Sequence, residues 1–153
     1  MEIHRALLDW AEVYFKSRDA MARKIQELVR RENDILIKYK DNREEVIYAF
    51  PDLSGATPKK NSSIITLNNP HNMDVICNQW DQYAAVKELR IYFINPFSTL
   101  EKKWVLAPSI HAKICDPSSL RTGLKALSEN IEPVTESVFL ERQYRAAKSI
   151  GAQ

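Results

Sequence analysis

The spacing of the apolar residues changes near residue 34, and this change constrains the fold more than any other feature. Before it, apolar side chains recur at three- and four-residue steps from Ile3 to Val29, which is the period of an amphipathic helix. After it, over residues 34–50, they alternate with polar ones, which is the period of a half-buried strand. Such a chain must combine helices with strands, so we expect an α+β fold.

The helical period predicts one long N-terminal helix over residues 1–32, about 45 Å long at a rise of about 1.5 Å per residue. That length exceeds what a small sheet can cover. Part of the helix is therefore expected to project or to pair with a second copy. A long surface helix bent around its own core is the alternative.

Five strands are expected. Residues 34–50 predict a hairpin, because Asp41-Asn42-Arg43 supplies turn chemistry between two alternating stretches. The segment SIITL predicts a third strand, and LRIYFIN and KKWVLAP predict a second hairpin. Between the third and fourth strands, Asn72 is expected to cap a helix whose inner face includes Cys77, and such a crossover permits one parallel strand pair.

Helices are expected again after the second hairpin. Asp116-Pro117 predicts the start of one helix, Pro133 its end, and Thr135 the cap of a final helix reaching about residue 149. The segment SIHAKIC fits a strand or a turn of helix equally well.

The predicted order is helix, three strands, helix, two strands and two helices, in a single domain covering residues 1–153. A mixed, mainly antiparallel five-stranded sheet over 34–107 would be packed by the helices, with the C-terminal helices over 117–149.

A chain of this length commonly forms one core. Its net charge of +2 and two cysteines are those of an ordinary globular protein with free thiols. We expect a soluble, cytoplasmic protein without a signal peptide or membrane span.

Each cysteine follows a histidine closely, in HNMDVIC and IHAKIC. The four residues are of the types that bind zinc tetrahedrally: His71, Cys77, His111 and Cys115. Structural zinc sites usually pair ligands at short, turn-like separations, whereas Cys77 lies inside a predicted helix and His71 before it. We therefore expect no metal and interpret Cys77 as a small buried hydrophobe. The four-ligand site is the alternative.

Cys115 has a second interpretation, as a nucleophile. It directly precedes Asp116-Pro117 and so lies at the positive end of a predicted helix, where a thiolate is stabilised. His111 or His71 would act as the base. The neighbouring Asp116 carboxylate opposes a thiolate, and no glycine-rich turn suggests an oxyanion hole.

Pro51-Asp52 and the stretch from Glu101 to Lys103 resemble, in letters, the signature of the PD-(D/E)xK nucleases. The resemblance implies that Asp52 and Glu101 hold a divalent cation and that Lys103 supports the attacking water, chemistry that suits magnesium and a phosphodiester. In that family the second motif lies within a core strand. Here Glu101 leaves the turn of a predicted hairpin and Asp52 lies in a loop. Solvated charges at hairpin ends are the alternative.

Basic residues concentrate in the second half of the predicted long helix. Five of them are candidate contacts to phosphate: Arg18, Arg23, Lys24, Arg30 and Arg31. Aromatic side chains do not interleave with them in a stacking pattern, and the overall charge is nearly neutral. The same residues suit the solvent face, or a partner-facing side, of an amphipathic helix.

The nucleotide-binding and hydrolase motifs G-x-x-x-x-G-K-[ST], G-x-G-x-x-G and G-x-S-x-G are absent from the sequence, which has three glycines. This absence makes an enzyme less expected than a binding protein. With the long helix and the aromatic side chains Trp10 and Tyr14, it favours a non-enzymatic protein-interaction module, homodimeric and without a cofactor. The element order resembles that of the small secretion chaperones, which implies an adaptor- or chaperone-like role. The alternative is a nucleic-acid-binding protein or a metal-dependent nuclease.

Overall fold

A computed structural model describes residues 2–151, with side chains described to residue 148. It contains one six-stranded sheet, whose strands are β1 Ile25–Arg30, β2 Asp34–Tyr39, β3 Glu44–Ala49, β4 Ser62–Leu67, β5 Leu89–Ile94 and β6 Lys103–Leu106. The helices are α1 Glu2–Ala22, α2 Pro70–Asn78, α3 Trp80–Ala84, α4 Pro108–Ile114, α5 Leu120–Ser128 and α6 Glu136–Gly151. The fold class is α+β, as the change of apolar period predicts.

The strands lie side by side in chain order. β1, β2 and β3 form an antiparallel meander, β3, β4 and β5 are parallel, and β6 returns antiparallel to β5. All six residues of β4 are buried, as expected of a central strand covered on both faces. The carboxyl ends of β3, β4 and β5 therefore meet at one edge of the sheet, here called the carboxyl edge.

Each face of the sheet has its own core. On one face, α1 packs through Leu7, Ala11 and Phe15 against β2 to β5, and Phe139 of α6 joins this cluster. On the other face, α2, α3 and α5 cover β4, β5 and β6 around a second buried cluster that includes Tyr83 and Leu124. The sheet is thus the middle layer between two helical layers.

The prediction of five strands is wrong, because residues 25–30 form a sixth strand, β1, and the first helix ends at Ala22 rather than near residue 32. The Asp19 carboxylate accepts hydrogen bonds from the backbone N–H of Lys24 (2.7 Å) and Ile25 (3.1 Å), and Arg23 adopts a φ of 50°. This turn directs the chain out of the helix and into the sheet. The helix is still long, but its inner face lies on its own sheet.

The sheet accordingly runs from Ile25 to Leu106, with both α2 and α3 inserted between β4 and β5. The helix start predicted at Asn72 is also corrected. Asn69 caps α2 by accepting the Asn72 N–H at 2.9 Å, and Pro70 occupies the first turn. Asn72 itself is buried inside that turn.

Other local predictions are confirmed. Both hairpins and the strand SIITL form, and β4 and β5 are parallel as the intervening helices permit. Thr135 caps α6 by accepting the Val138 N–H, whereas Asp116 caps a short 3-10 turn, Pro117–Ser119, so α5 begins at Leu120 and ends at Ser128 rather than extending from Pro117 to Pro133. The segment SIHAKIC, for which strand and helix were open alternatives, is helical over 109–114 and forms most of α4, and Cys115 follows the helix in extended backbone.

Candidate functional site

Four buried asparagines close the carboxyl edge: Asn68, Asn69, Asn72 and Asn95. Asn72 connects the loop after β3 to the end of β4. Its amide oxygen accepts from the Leu53 N–H at 2.9 Å, and its amide nitrogen donates to the carbonyls of Pro51 (2.9 Å) and Leu67 (2.8 Å). One side chain thereby satisfies buried backbone groups from two segments, which is why the position needs an amide.

The remaining asparagines hold the segment between α5 and α6. Asn68 donates to the carbonyls of Ser128 and Ile131 and accepts from the Trp104 indole N–H at 2.8 Å. Asn69 donates to the Val134 carbonyl, and Asn95 to that of Glu132. A cleft of about 710 Å³ lies beside them, lined also by Met73 and Lys125. Because these side-chain amides already form hydrogen bonds with backbone groups, their role at this edge is structural.

The nuclease-like residues lie along this edge but are not brought together. Asp52 follows β3, whereas Glu101 and Lys103 stand at the start of β6. β4 and β5 lie between these strands, a separation of roughly 14 Å at the usual strand spacing. The Lys103 ammonium lies 4.7 Å from the centre of the Tyr14 ring, on the α1 face. One divalent cation needs ligands within about 2.6 Å, so this arrangement does not hold a shared metal.

Asp52 has a different set of partners. Its carboxylate accepts from the Ser54 hydroxyl at 2.6 Å and from the Ser54 N–H at 2.8 Å, and His71 Nε2 lies 2.8 Å away. The Ser54 hydroxyl, with smaller contributions from the Ser54 N–H and His71, lowers the pKa of Asp52 although partial burial opposes the change. Asp52 thus caps the short turn that follows β3.

The histidine and cysteine candidates are also dispersed. His71 pairs with Asp52, the His111 ring stands edge-on to Trp80 with centroids 5.7 Å apart, and Cys115 ends α4. Cys77 packs beside the second core, where burial raises the pKa of its thiol. Across the described part of the chain, no three His, Cys, Asp or Glu side chains cluster as metal ligands would.

Most of the candidate phosphate-binding residues contact other side chains of the chain. Arg18 lies over the Phe15 ring at 4.7 Å and contacts the Tyr92 hydroxyl, Arg30 forms ion pairs with Asp9 and Glu12, and Arg31 pairs with Asp34. Arg23 and Lys24 form the exposed turn between α1 and β1. These residues do not form the continuous basic stripe that a phosphate backbone would contact.

The two candidate aromatic residues belong to the first core. Trp10 is buried and stacks on Tyr14 with centroids 4.9 Å apart, and both rings lie within 6.3 Å of the Tyr92 ring. They fix α1 on the sheet, and their role as partner-binding residues stays a prediction.

Sequence reasoning missed a polar cluster beneath the C-terminal half of α1. The Glu45 carboxylate accepts from the Tyr39 hydroxyl at 2.7 Å and from the Ser63 hydroxyl at 2.8 Å. Burial, reinforced by this hydrogen bond, raises the pKa of Tyr39 far above its ordinary value. The only sequence signal was a glutamate at an inward position of an alternating strand.

A groove of about 790 Å³ separates the start of α1 from the start of α6. We call it the α1–α6 groove. Ile3, Leu8 and Phe50 contribute apolar surface to it, and Glu136 and Leu140 form its α6 wall. Charges of both signs surround it: Glu2, Arg5, Arg30, Arg31, Glu32 and Glu136.

Beyond the groove, α6 presents apolar side chains to solvent. Phe139 is 1% exposed and fixes the helix to the first core, whereas Leu140 is 50% and Tyr144 68% exposed. Leu140, Tyr144 and the exposed Ala147 recur at helical spacing and so share one side of the helix. We call these three residues the α6 stripe. It is continuous with the α1–α6 groove through Leu140.

Within residues 2–151, no helix has both the length and the apolar character needed to cross a bilayer. Comparison of the chain with protein-family models, with curated proteins and with solved structures found no match.

Proposed function

We propose that this protein is a protein-interaction module and that the α6 stripe, with the adjoining α1–α6 groove, is its binding surface. The observation that carries the proposal is the exposure of Leu140 and Tyr144 on a helix whose Phe139 is buried in the first core. Burying such side chains releases about 25 cal/mol per Å² of apolar surface. A helix that presents them in line, with polar flanks, is a common protein-recognition element.

Tyr144 is the residue on which this function depends most. Tyrosine is enriched at the centres of protein interfaces, because its ring buries a large apolar area and its hydroxyl still finds a polar partner. At position 144 the ring is fixed by the helix but has little cover from the chain itself. Binding would therefore cover much of it without remodelling the domain.

Photo-cross-linking tests the proposal. A benzophenone amino acid placed at Tyr144 is compared with the same probe at Lys87, an exposed residue before β5. In an extract of the source cells, the probe at 144 is expected to yield a discrete protein adduct that the probe at 87 does not yield. Identical background labelling at both positions would overturn the proposal.

A further inference from the structure

α6 carries opposite charges at its two ends. Glu136 lies in the first turn and Lys148 in the last. The three other charged side chains of the helix are already paired within the chain: Arg142 pairs with Glu132 at 3.2 Å, and Arg145 pairs with Glu141 at 2.6 Å. Among the described residues, Glu136 and Lys148 form no ion pair, and both are exposed.

We propose, building on the function proposed above, that the partner of the α6 stripe is a second copy of this chain, bound with the two α6 helices antiparallel. In one register, Leu140 of each copy lies opposite Tyr144 of the other. That register also brings Glu136 of each copy to the same level along the helix axis as Lys148 of the other, because both pairs are centred at the level of Arg142. A single two-fold axis at this level satisfies the apolar and the charged contacts together.

The parallel arrangement is disfavoured by the same charges. It would bring Glu136 beside its copy and Lys148 beside its copy, and like charges in contact are destabilising. The charge pattern along α6 therefore favours the antiparallel arrangement of two copies over the parallel one.

The groove completes the contact. Leu140 is both part of the α6 stripe and the α6 wall of the α1–α6 groove. In the antiparallel pair, the Tyr144 ring of the second copy lies opposite Leu140 and hence at the mouth of the groove. Ile3 and Phe50 supply apolar surface there. The Tyr144 ring of each copy thus binds at the groove of the other, as a two-fold interface requires.

Sedimentation equilibrium of the purified full chain tests this inference. The wild type is expected to dimerise, and Tyr144→Asp to be monomeric, whereas Tyr144→Phe retains the dimer. Glu136→Lys alone and Lys148→Glu alone should each raise the dimer Kd about tenfold or more, since either reversal opposes like charges at both symmetric contacts. The double variant Glu136→Lys/Lys148→Glu should restore the wild-type Kd within a few fold. Lys87→Glu, an exposed charge reversal outside α6, is the matched control.

A wild type that remains monomeric up to about 100 µM, a range in which even weak specific dimers are seen, would overturn the inference. So would a dimer that is unaffected by Tyr144→Asp, or a double variant as weak as the single ones. The photo-cross-linking experiment separates this failure from failure of the proposed function. An adduct between position 144 and a different protein would support the protein-interaction module and overturn the homodimer. The absence of any specific adduct would overturn both proposals.

Discussion

Asn72 joins the loop after β3 to the end of β4 through three hydrogen bonds to the backbone, so its loss should be costly. Asn72→Ala leaves the buried Leu53 N–H and the Pro51 and Leu67 carbonyls without their amide partners. We expect the free energy of unfolding to fall by about 2 to 4 kcal/mol. Urea denaturation measures the change.

Asn130→Ala is the matched control, because Asn130 is exposed near the end of α5. Its effect should stay within about 0.5 kcal/mol. Equal effects of the two substitutions would mean that the buried amide does not join the loop after β3 to β4.

The titration of Asp52 is a second test at the scale of the residue. The Ser54 hydroxyl, with smaller contributions from the Ser54 N–H and His71, lowers the pKa of Asp52 in the folded state. The unfolded state therefore binds this proton more readily. The resulting stabilisation is present above the unfolded pKa of about 3.9 and is lost as the pH falls through the lower folded value. Ser54→Ala should raise the folded pKa of Asp52, as followed by carbon NMR of its carboxyl group.

Ser137→Ala, in the first turn of α6, is the control and should leave the Asp52 midpoint unchanged. The explanation fails if Asp52 titrates at the same pH in the wild type and in Ser54→Ala.

Residue roles were only partly predictable from the sequence. The capping functions of Asp116 and Thr135 follow from local chemistry, because a cap bonds to N–H groups two or three residues away. Asn68, Asn69 and Asn95 bond to loops that are distant along the chain. The cluster of asparagines after SIITL was a signal, but the partners depend on tertiary structure.

At the scale of the element, the junction between α1 and β1 decides the number of strands. Asp19 accepts the Lys24 and Ile25 N–H groups, so Asp19→Ala should lower the free energy of unfolding by about 1 kcal/mol, as the loss of a cap does. Asp19→Asn keeps the acceptor and should retain most of the stability. Thermal unfolding of the two variants measures the difference, and equal losses would show that the charge rather than the hydrogen bond matters.

This junction also explains the error in the predicted strand number. Ile25, Leu28 and Val29 suit a helical period, and the prediction extended the helix through them. In the fold they belong to β1, which pairs with β2. Pairing with a neighbouring strand is a tertiary effect that overrides local period. The hairpins were predictable because their turns and alternation lie within one short segment.

At the scale of the whole molecule, helices cover both faces of the sheet, and α6 leaves Leu140 and Tyr144 exposed to solvent. The expected excess helix length is absent, since α1 lies on its own sheet. The reason for expecting a binding module now lies in α6 rather than α1. The composition of α6 alone did not distinguish Phe139, which is buried, from Leu140, which is exposed, because the distinction depends on which side of the helix meets the domain.

Hydrogen–deuterium exchange of the α6 backbone amides tests the binding role of α6 most directly. If the α6 stripe is a protein-binding surface occupied by a second copy, protection of residues 140–148 rises with protein concentration, and Tyr144→Asp abolishes the rise. Protection of β4, at the centre of the sheet, should be the same in both proteins and at every concentration. Exchange in α6 that is independent of concentration and identical in Tyr144→Asp would contradict the account.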